Sequence, residues 1–340
     1  MSASLSLPTP ARIVPDMGPE GRVLVAGAGA VGSVVGGLLA AAGWDVTLLA
    51  RRSHAEAVRR HGLVVEGLFG THHVRGLGCT TDVAALGGPF ALILLTVKAY
   101  DTATVAAVVA PCLAGDGVLL SLQNGLGNIE AAERALGRAC VLGGRVIFGA
   151  ELFEPGRVRV TVYADPVLVG SPEPSDPRRR AAASRWAAHL AAAGIPAEPT
   201  ETIVAELWGK VLYSAALNPL GALLGVPYGA LAAQPDTRAI MDAVIEEAFA
   251  VAAAEGVVLG WPDAAAYREE FYGRLVPVTA AHRSSMLQDI ERGRPTEVEA
   301  INGWVATRAA ARGLDAPTNA LLVRLVRARA GRREESPCTH

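Results

Sequence analysis

The architecture of this chain is set near its start by residues 22–54, which read RVLVAGAGAVGSVVGGLLAAAGWDVTLLARRSH. The apolar run over residues 22–26 has the composition of a buried β-strand and ends in a cluster of glycines. Small residues without proline then continue to Gly43, as in a closely packed helix, and residues 44–50 form a second apolar run. This order of strand, glycine turn, helix and strand predicts the first unit of a parallel sheet.

Inside this unit, the sequence GAGAVG matches the pattern G-x-G-x-x-G and stands between a predicted strand and a predicted helix, as the pattern requires. Gly27 permits a tight turn, Gly29 lets the backbone approach a pyrophosphate, and Gly32 lets the helix pack closely on the strand. Ala30 and Val31 open the helix, whose N-terminus faces the phosphates. We therefore expect a dinucleotide site of the Rossmann type. The alternative is a glycine-rich turn that holds no ligand.

The end of the second strand indicates which dinucleotide to expect. NAD sites usually place an acidic residue there to hold the ribose 2′-hydroxyl, whereas this chain has Arg51 and Arg52 and no acid before Glu56. A guanidinium suits a 2′-phosphate, which a carboxylate would repel. We expect NADPH/NADP as the cofactor, with Arg51 in contact with it. The alternative is a pair of solvated surface arginines.

Apolar β-type runs alternate with helical stretches up to residue 199, and few such runs follow. This change predicts an α/β fold in two domains, since alternating strands and helices form a mostly parallel sheet. The predicted divisions are a disordered leader at 1–20, a Rossmann domain at 21–199, a helical domain at 200–330 and a frayed tail at 331–340.

Several local elements are also predicted. In the first domain we expect a hairpin within residues 158–171, a surface turn at 172–180 and a helix at 185–194. In the second domain, glycine and proline boundaries predict helices, at residues 201–224, 236–256, 263–290 and 296–312.

Composition excludes several classes of protein. Apolar residues make up 51% of the 340 residues and the net charge is −2, which is typical of a globular protein and favours neither nucleic acid nor an anionic membrane as a partner. The four cysteines are scattered, without metal-ligand spacing. We expect free thiols, no metal, a cytoplasmic location and no membrane span.

Polar residues that need an explanation follow the later apolar runs. Lys98 and Asn124 each come directly after a predicted strand, where open α/β sheets bind ligands. Further on, residues 207–220 read LWGKVLYSAALNPL, an apolar helical stretch that carries Lys210, Ser214 and Asn218 at four-residue intervals, hence on one face. The alternatives, from these residues alone, are a surface lysine at Lys98, a turn amide at Asn124 and a snorkelling lysine at Lys210.

Six motifs, in this order, resemble the 2-dehydropantoate 2-reductase (ketopantoate reductase) family over about residues 22–328: GAGAVG, LLARR, LTVKAYD, SLQNG, LWGKVLYSAALNPL and SSMLQDIERGRPTEVEAING. The resemblance implies a Rossmann domain and an all-α C-terminal domain of the 6-phosphogluconate-dehydrogenase-like type, with the active site between them. It also implies NADPH-dependent reduction of 2-dehydropantoate to (R)-pantoate, on the route to coenzyme A, and a possible homodimer.

The resemblance carries roles onto single residues. Lys210 matches the family's catalytic lysine, which would donate a proton to the alkoxide formed when hydride reaches a 2-oxo carbon. Glu297 matches the glutamate of the TE motif and is predicted to be catalytic and to border the cofactor. Lys98 matches the lysine near the nicotinamide end, and Asn124 the asparagine of the QNG loop, between cofactor and substrate. Without the resemblance, Glu297 is equally a simple helix-start acid.

The remaining assignments concern the 2-oxo acid. Asn218 matches the asparagine of an NP motif and Ser285 a substrate-binding serine, and Ser214 is expected to join them. The family often has asparagine at Ser214 and another polar residue near Tyr228, so the identity of the substrate stays open. The alternatives are reduction of a different 2-oxo acid or ketone, oxidation of a hydroxy acid, and an NADP(H)-sensing protein without enzymatic activity.

Overall fold

The computed structural model of the chain describes residues 21–137 and 139–331. The predicted leader and residues 332–340 of the predicted tail lie outside these ranges. In the part that is described, a sheet-forming half precedes a helical half. Two hydrophobic cores fill them, and one of the cores is shared between the two halves.

The sheet-forming half contains ten strands and five α-helices. In chain order these are β1 (Arg22–Ala26), α1 (Ala30–Ala41), β2 (Asp45–Leu49), α2 (Arg52–His61), β3 (Leu63–Gly67), β4 (His72–Val74), β5 (Gly78–Thr80), β6 (Phe90–Leu95), α3 (Thr102–Val109), β7 (Leu113–Ser121), α4 (Asn128–Leu136), β8 (Val141–Glu154), β9 (Arg157–Gly170), α5 (Pro177–Ala192) and β10 (Ala197–Thr200).

The strands form one sheet in the order β4-β3-β9-β8-β7-β6-β1-β2-β5, with β10 paired to β9. The pairs from β5 across to β8 are parallel. Along β1, Val23 and Val25 enter one hydrophobic core while Leu24 and Ala26 enter the other, because successive side chains of a strand point to opposite faces. Both faces are therefore covered, and the predicted α/β class with a Rossmann-like domain is confirmed.

The hairpin predicted within residues 158–171 is wrong, because that segment is the single strand β9, which pairs antiparallel with the equally long β8. The sequence Ala164-Asp165-Pro166 suggested a turn. Instead, the register shifts between Arg145 and Ile147, opposite this proline. Proline has no N–H for a ladder and is accommodated at such irregularities.

The surface turn predicted at 172–180 is only partly correct, since α5 begins at Pro177 rather than at residue 185. Asp176 caps the helix by accepting hydrogen bonds from the N–H groups of Arg178 and Arg179 at 2.9 and 3.2 Å. An aspartate followed by proline is a helix start, because proline suits the first helical position and needs no N–H partner there.

The helical half runs through eight segments: α6 (Ile203–Leu224), α7 (Tyr228–Ala233), α8 (Pro235–Ala254), α9 (Ala264–Glu270), α10 (Val276–Val278), α11 (Ser285–Glu291), α12 (Asn302–Ala311) and α13 (Pro317–Gly331). The helices predicted at 201–224 and 236–256 are confirmed as α6 and α8. Within the described residues, no helix combines the length and apolar character needed to cross a lipid bilayer.

Two helix predictions are wrong in their extent. The stretch 263–290 is interrupted after Val278 by a non-helical loop, and Ser284 starts a new helix by accepting a hydrogen bond from the N–H of Leu287 at 3.0 Å. The stretch 296–312 begins with a short 3₁₀ turn, and its α-helix starts only at Asn302. At Ser284, the side-chain hydrogen bond that caps α11 starts a new helix, although the helix propensity of the segment favoured one continuous helix. The helices α7 and α13 were missed.

Helix α6 contains Pro219, which lacks the N–H that would normally bond to the carbonyl oxygen of Ala215. The side-chain Nδ2 of Asn302 donates a hydrogen bond to that oxygen at 3.0 Å and a second to Oδ1 of Asn319, also at 3.0 Å. Both asparagines are fully buried. Asn302 thus repairs the defect that proline creates and ties α6 to α12 and α13.

We expect Asn302→Ala to lower the free energy of unfolding by about 1–3 kcal/mol, because it leaves a buried carbonyl and a buried amide without partners. The measurement is chemical denaturation followed by circular dichroism. Arg324→Ala, an exposed change on α13, is the control and should leave stability within about 0.5 kcal/mol of the parent. Equal stability of the two variants would contradict the repair of α6 by Asn302.

Candidate active site

The glycine loop between β1 and α1 has the geometry of a phosphate site. Gly27 has φ of +108°, and a Cβ on it would lie 2.6 Å from the backbone nitrogen of Val97, so no side chain fits. A Cβ on Gly32 would lie 2.6 Å from the carbonyl oxygen of Gly27, which explains the close packing of α1. Space beside Gly29 is open, apart from one backbone oxygen at 4.0 Å. The N-terminus of α1, starting at Ala30, is therefore accessible to an anion.

Arg51 borders this loop. The N–H groups of Gly27 and Ala28 donate to the carbonyl oxygen of Leu49 at 3.2 and 2.9 Å, which joins the loop to the end of β2. Arg51 follows two residues later, is exposed, and has no ion-pair partner among the described residues. Its guanidinium is free to meet an anion on this side of the loop.

The adjacent strands β6 and β7 bring Lys98 and Asn124 together. Leu95 lies opposite Ser121 in the parallel ladder, and the two polar residues follow these positions at the same edge of the sheet. Gln123 stiffens this edge, since its Nε2 donates to the carbonyl oxygen of Val97 at 2.9 Å. The two residues predicted at strand ends thus lie at one edge, as expected of parallel strands.

The buried carboxylate of Glu297, which precedes α12, meets both residues from the helical half. Its Oε2 accepts hydrogen bonds from Nζ of Lys98 at 3.0 Å and from Nδ2 of Asn124 at 3.4 Å. Its Oε1 accepts one from the N–H of Ala99 at 3.1 Å. Glu297 therefore fixes the ends of β6 and β7 relative to the helical half.

Lys210 lies on α6 beside this carboxylate. Its Nζ donates a hydrogen bond to Oδ1 of Asn124 at 2.7 Å. Burial lowers the pKa of Lys210 to about 8, although the negative charge of Glu297 opposes the shift, and the positive charge of Arg145 adds to it. The ammonium is thus mostly protonated at neutral pH and gives up its proton far more readily than an exposed lysine.

Lys98 has the opposite electrostatic balance. Its Nζ also forms an ion pair with Oδ2 of Asp289 at 2.7 Å. Burial would lower the pKa of Lys98, but the charges of Glu297 and Asp289 outweigh it and raise the pKa above its ordinary value. Lys98 is therefore a fixed positive charge, whereas Lys210 can exchange a proton.

These two are the only lysines in the sequence, which has 29 arginines. Arginine stays protonated in proteins, whereas the pKa of a buried lysine shifts readily. The chain thus has its two ammonium groups in one cluster, together with Asn124 and Glu297. One of the two has its pKa shifted toward neutrality.

Two residues of this cluster had no predicted role. Asp289 belongs to the motif SSMLQD, but its ion pair joins it to Lys98, which is 191 positions away. Arg145 lies on β8, in the stretch GGRVIFG, and forms ion pairs with Asp165 and Glu206. Sequence spacing contains no signal for the pairs Lys98–Asp289 and Arg145–Glu206, because both form only when the two halves pack together, whereas Arg145 and Asp165 lie on the paired strands β8 and β9.

The residues predicted to bind the substrate, Asn218, Ser285 and Ser214, differ in how exposed they are. Asn218 is buried, and its Oδ1 accepts a hydrogen bond from the hydroxyl of Tyr228. Ser284, rather than Ser285, is tied to α6, because its Oγ donates to the carbonyl oxygen of Asn218 at 3.2 Å. Ser285 is exposed at the start of α11, and Ser214 is half-buried one turn beyond Lys210. Their contact with a substrate stays a prediction.

Across residues 21–137 and 139–331, no group of three or more histidine, cysteine or acidic side chains is arranged to hold a metal ion. The three cysteines in those ranges form no disulfide bond, and Cys338 lies outside them.

Comparison with known proteins gives a family. Residues 23–173 match the family Ketopantoate reductase PanE/ApbA, and residues 202–330 match Ketopantoate reductase PanE/ApbA C terminal. The chain is 34% identical to the 2-dehydropantoate 2-reductase of Aquifex aeolicus, covering 91% of this chain and 96% of that protein. It is 39% identical to the 2-dehydropantoate 2-reductase of Archaeoglobus fulgidus, covering 90% and 97%.

Solved structures agree. A PanE/ApbA family ketopantoate reductase from Ralstonia eutropha JMP134 superposes with a TM-score of 0.82 at 34% identity, covering 92% of this chain and all of that one. A D-mandelate dehydrogenase in a ternary structure with NADH and anilino(oxo)acetate also superposes with a TM-score of 0.82. It is 25% identical, and the match covers 92% of this chain and 99% of that one. The predicted family is thereby confirmed: the chain belongs to the ketopantoate reductase PanE/ApbA family.

Proposed function

We propose that the protein reduces 2-dehydropantoate to (R)-pantoate with NADPH and that Lys210 donates the proton. The observation that carries this proposal is the half-buried ammonium of Lys210. It is held by Asn124 at the same edge of the sheet as the open glycine loop, with its pKa lowered to about 8. The membership of the chain in the ketopantoate reductase family and the names of its relatives support the choice of substrate.

The residues of the first half fit a dinucleotide. Gly29 leaves the space for a pyrophosphate, the N-terminus of α1 supplies its N–H groups, and Arg51 supplies the positive charge for a 2′-phosphate. Lys98, a permanent charge held by Glu297, lies at the end of β6 next to Asn124. When bound, the nicotinamide supplies the hydride that reduces the 2-oxo carbon.

The protein's own residues handle the charge that develops. As the carbonyl carbon of the substrate is reduced, its oxygen becomes an alkoxide, and Nζ of Lys210 stabilises it and transfers a proton to it. Asn124 accepts a hydrogen bond from the same ammonium and so orients it. The charge of Glu297 keeps Lys210 protonated before the reaction. The neutral amine left behind recovers its proton from solvent.

A second candidate function is reduction of a bulkier 2-oxo acid. Two observations favour it: the structural similarity to D-mandelate dehydrogenase, and Ser214 and Tyr228 at positions where the family often has other polar residues. A role as an NADP(H) sensor is less well supported, because a sensor has no need for a lysine whose pKa is lowered. Cytoplasmic location and a homodimer remain predictions from the sequence.

The substrate is tested by steady-state kinetics with NADPH on a panel of ketopantoate, pyruvate and phenyl-substituted 2-oxo acids. We expect kcat/KM for ketopantoate to exceed that for every other acid by at least tenfold, about 1.4 kcal/mol of transition-state discrimination. A preference for a phenyl-substituted acid would select the second candidate instead. Absence of turnover with all of them, despite NADPH binding, would favour a sensor.

Arg51→Glu tests the choice of cofactor. It removes a charge-assisted contact and adds repulsion, so we expect NADPH binding to weaken by about 2–4 kcal/mol and NADH binding to change much less. Fluorescence titration of both cofactors gives the two affinities. Arg185→Glu, an exposed change on α5, is the control and should leave both affinities unchanged. Equal losses for NADPH and NADH in Arg51→Glu would show that this residue does not contact a 2′-phosphate.

Lys210→Met tests the proton donor. We expect kcat to fall by about 10²–10⁴-fold with little change in NADPH affinity, since the cofactor is held by the sheet-forming half. Lys98→Met is the matched control and should raise KM for NADPH more than it lowers kcat. Lys210→Arg should recover little, because guanidinium keeps its proton. A folded Lys210→Met protein with near-normal kcat would exclude Lys210 as the donor.

The presence of only two lysines makes the pKa itself measurable. After reductive ¹³C-methylation, NMR should show one lysine with a pKa near 8 and one with a pKa above the ordinary lysine value, and Lys210→Arg should remove the first signal. The fall in kcat with rising pH should follow the first titration, because deprotonation removes the donor. Two titrations above pH 10 would contradict the desolvation of Lys210.

A further inference from the structure

The exposed arginines around α2 differ from most others in the chain. Arginines elsewhere, such as Arg157, Arg159 and Arg308, form ion pairs with nearby carboxylates. Among the described residues, no carboxylate pairs with the arginines of α2 and its flanks or with the one in the turn before β5, and these are Arg51, Arg52, Arg59, Arg60 and Arg75. Glu56, the carboxylate on α2 itself, forms no ion pair with any of them, so these arginines lack a direct carboxylate partner among the described residues.

Part of this charge surrounds a cavity. Arg59, Arg60 and His61, in the last turn of α2, line a cavity of about 510 Å³ together with Arg75 from the β4–β5 turn. The two walls adjoin closely, because a Cβ placed on Gly62 would lie 3.3 Å from Cγ of Arg75. Three arginine residues from two separate segments of the chain thus border one concave site.

The cavity lies away from the proposed cofactor loop. Strand β5 runs parallel to β2, with Cys79 opposite Leu48, so the turn before β5 lies at the amino edge of the sheet. Gly27 and Arg51 lie beyond the carboxyl ends of β1 and β2, at the opposite edge. An anion in the cavity would therefore be a second ligand and not part of the proposed cofactor.

Favourable interaction with a helix dipole explains only part of the cluster. Basic residues near a helix C-terminus are stabilised by the backbone carbonyls, which accounts for Arg59, Arg60 and His61. Arg75 comes from a separate segment, the turn before β5, and still borders the same site. The charge of Arg59 also acts on Cys79, but burial raises the pKa of this thiol to about 11, so the thiol is neutral and is no counter-ion.

We propose that this cavity binds a small anion that carries phosphate groups. Guanidinium groups match phosphate oxygens in paired hydrogen bonds, and three of them around one cavity suit a diphosphate better than a single carboxylate. The apolar side chains of Val58 and Leu77 line the same cavity and offer contact to an organic part of the ligand. A nucleic acid fits less well, because it needs an extended basic surface and this chain has a net charge of −2.

Isothermal titration with inorganic pyrophosphate tests the site on the full chain. We expect saturable binding that weakens at least tenfold in Arg60→Gln and in Arg75→Gln. It should be unchanged in Arg185→Gln, an exposed arginine of α5 without an ion-pair partner among the described residues. Because all three arginines are exposed, the variants should fold, and circular dichroism checks this.

Two further titrations identify the preferred ligand and the edge of the sheet at which it binds. Adenosine diphosphate binding more tightly than pyrophosphate would identify an organic diphosphate as the preferred ligand, and equal affinity would identify the inorganic anion; both agree with the proposal. Arg51→Gln separates the two edges of the sheet. The proposal is overturned if pyrophosphate does not bind, or if binding falls in Arg51→Gln but not in Arg75→Gln.

Discussion

The carboxylate of Glu297 is the contact on which the site depends. It comes from the helical half, is buried, and receives hydrogen bonds from Lys98, Ala99 and Asn124 at the ends of two strands. A buried carboxylate without partners would be costly, so these contacts are needed for the two halves to pack in this arrangement. Once they have packed, Asn124 is in position to hold Lys210. The hydrogen bonds of Glu297 thus both stabilise the packing of the two halves and position the proposed proton donor.

The two lysines show how placement separates similar groups. Lys98 forms ion pairs with two carboxylates and stays charged. Lys210 is hydrogen-bonded to the neutral amide of Asn124 and interacts electrostatically with one carboxylate, that of Glu297, at longer range. The effect of desolvation on the pKa is therefore outweighed by the two carboxylates at Lys98, whose pKa is raised, and it dominates at Lys210, whose pKa is lowered. The proposed function, in which an anionic cofactor is held and a proton is given up, uses both kinds of ammonium, and the two lysines lie in the same small cluster.

Helix α6 is shaped by a defect that the rest of the helical half corrects. Pro219 leaves the carbonyl of Ala215 without its usual donor, and Asn302 supplies another from α12. Four residues before Ala215, α6 packs on the shared core through Val211, and Lys210 is the adjacent residue. The ING motif, which carries no chemistry of its own, thus helps to fix the helix that presents the lysine.

The sequence by itself determined the local features, which depend on short-range rules. The glycine loop with Gly27 and the alternation of strands and helices could be predicted. So could the positions of Lys98 and Asn124 at strand ends and of Lys210 on a helix, because hydrophobic periodicity and turn residues are local signals that span only a few residues. Tertiary structure alone decided the ion pair of Lys98 with Asp289, the single strand β9 across Pro166, and the lowered pKa of Lys210. Those depend on burial and on partners distant in the sequence, and both exist only after the chain has packed.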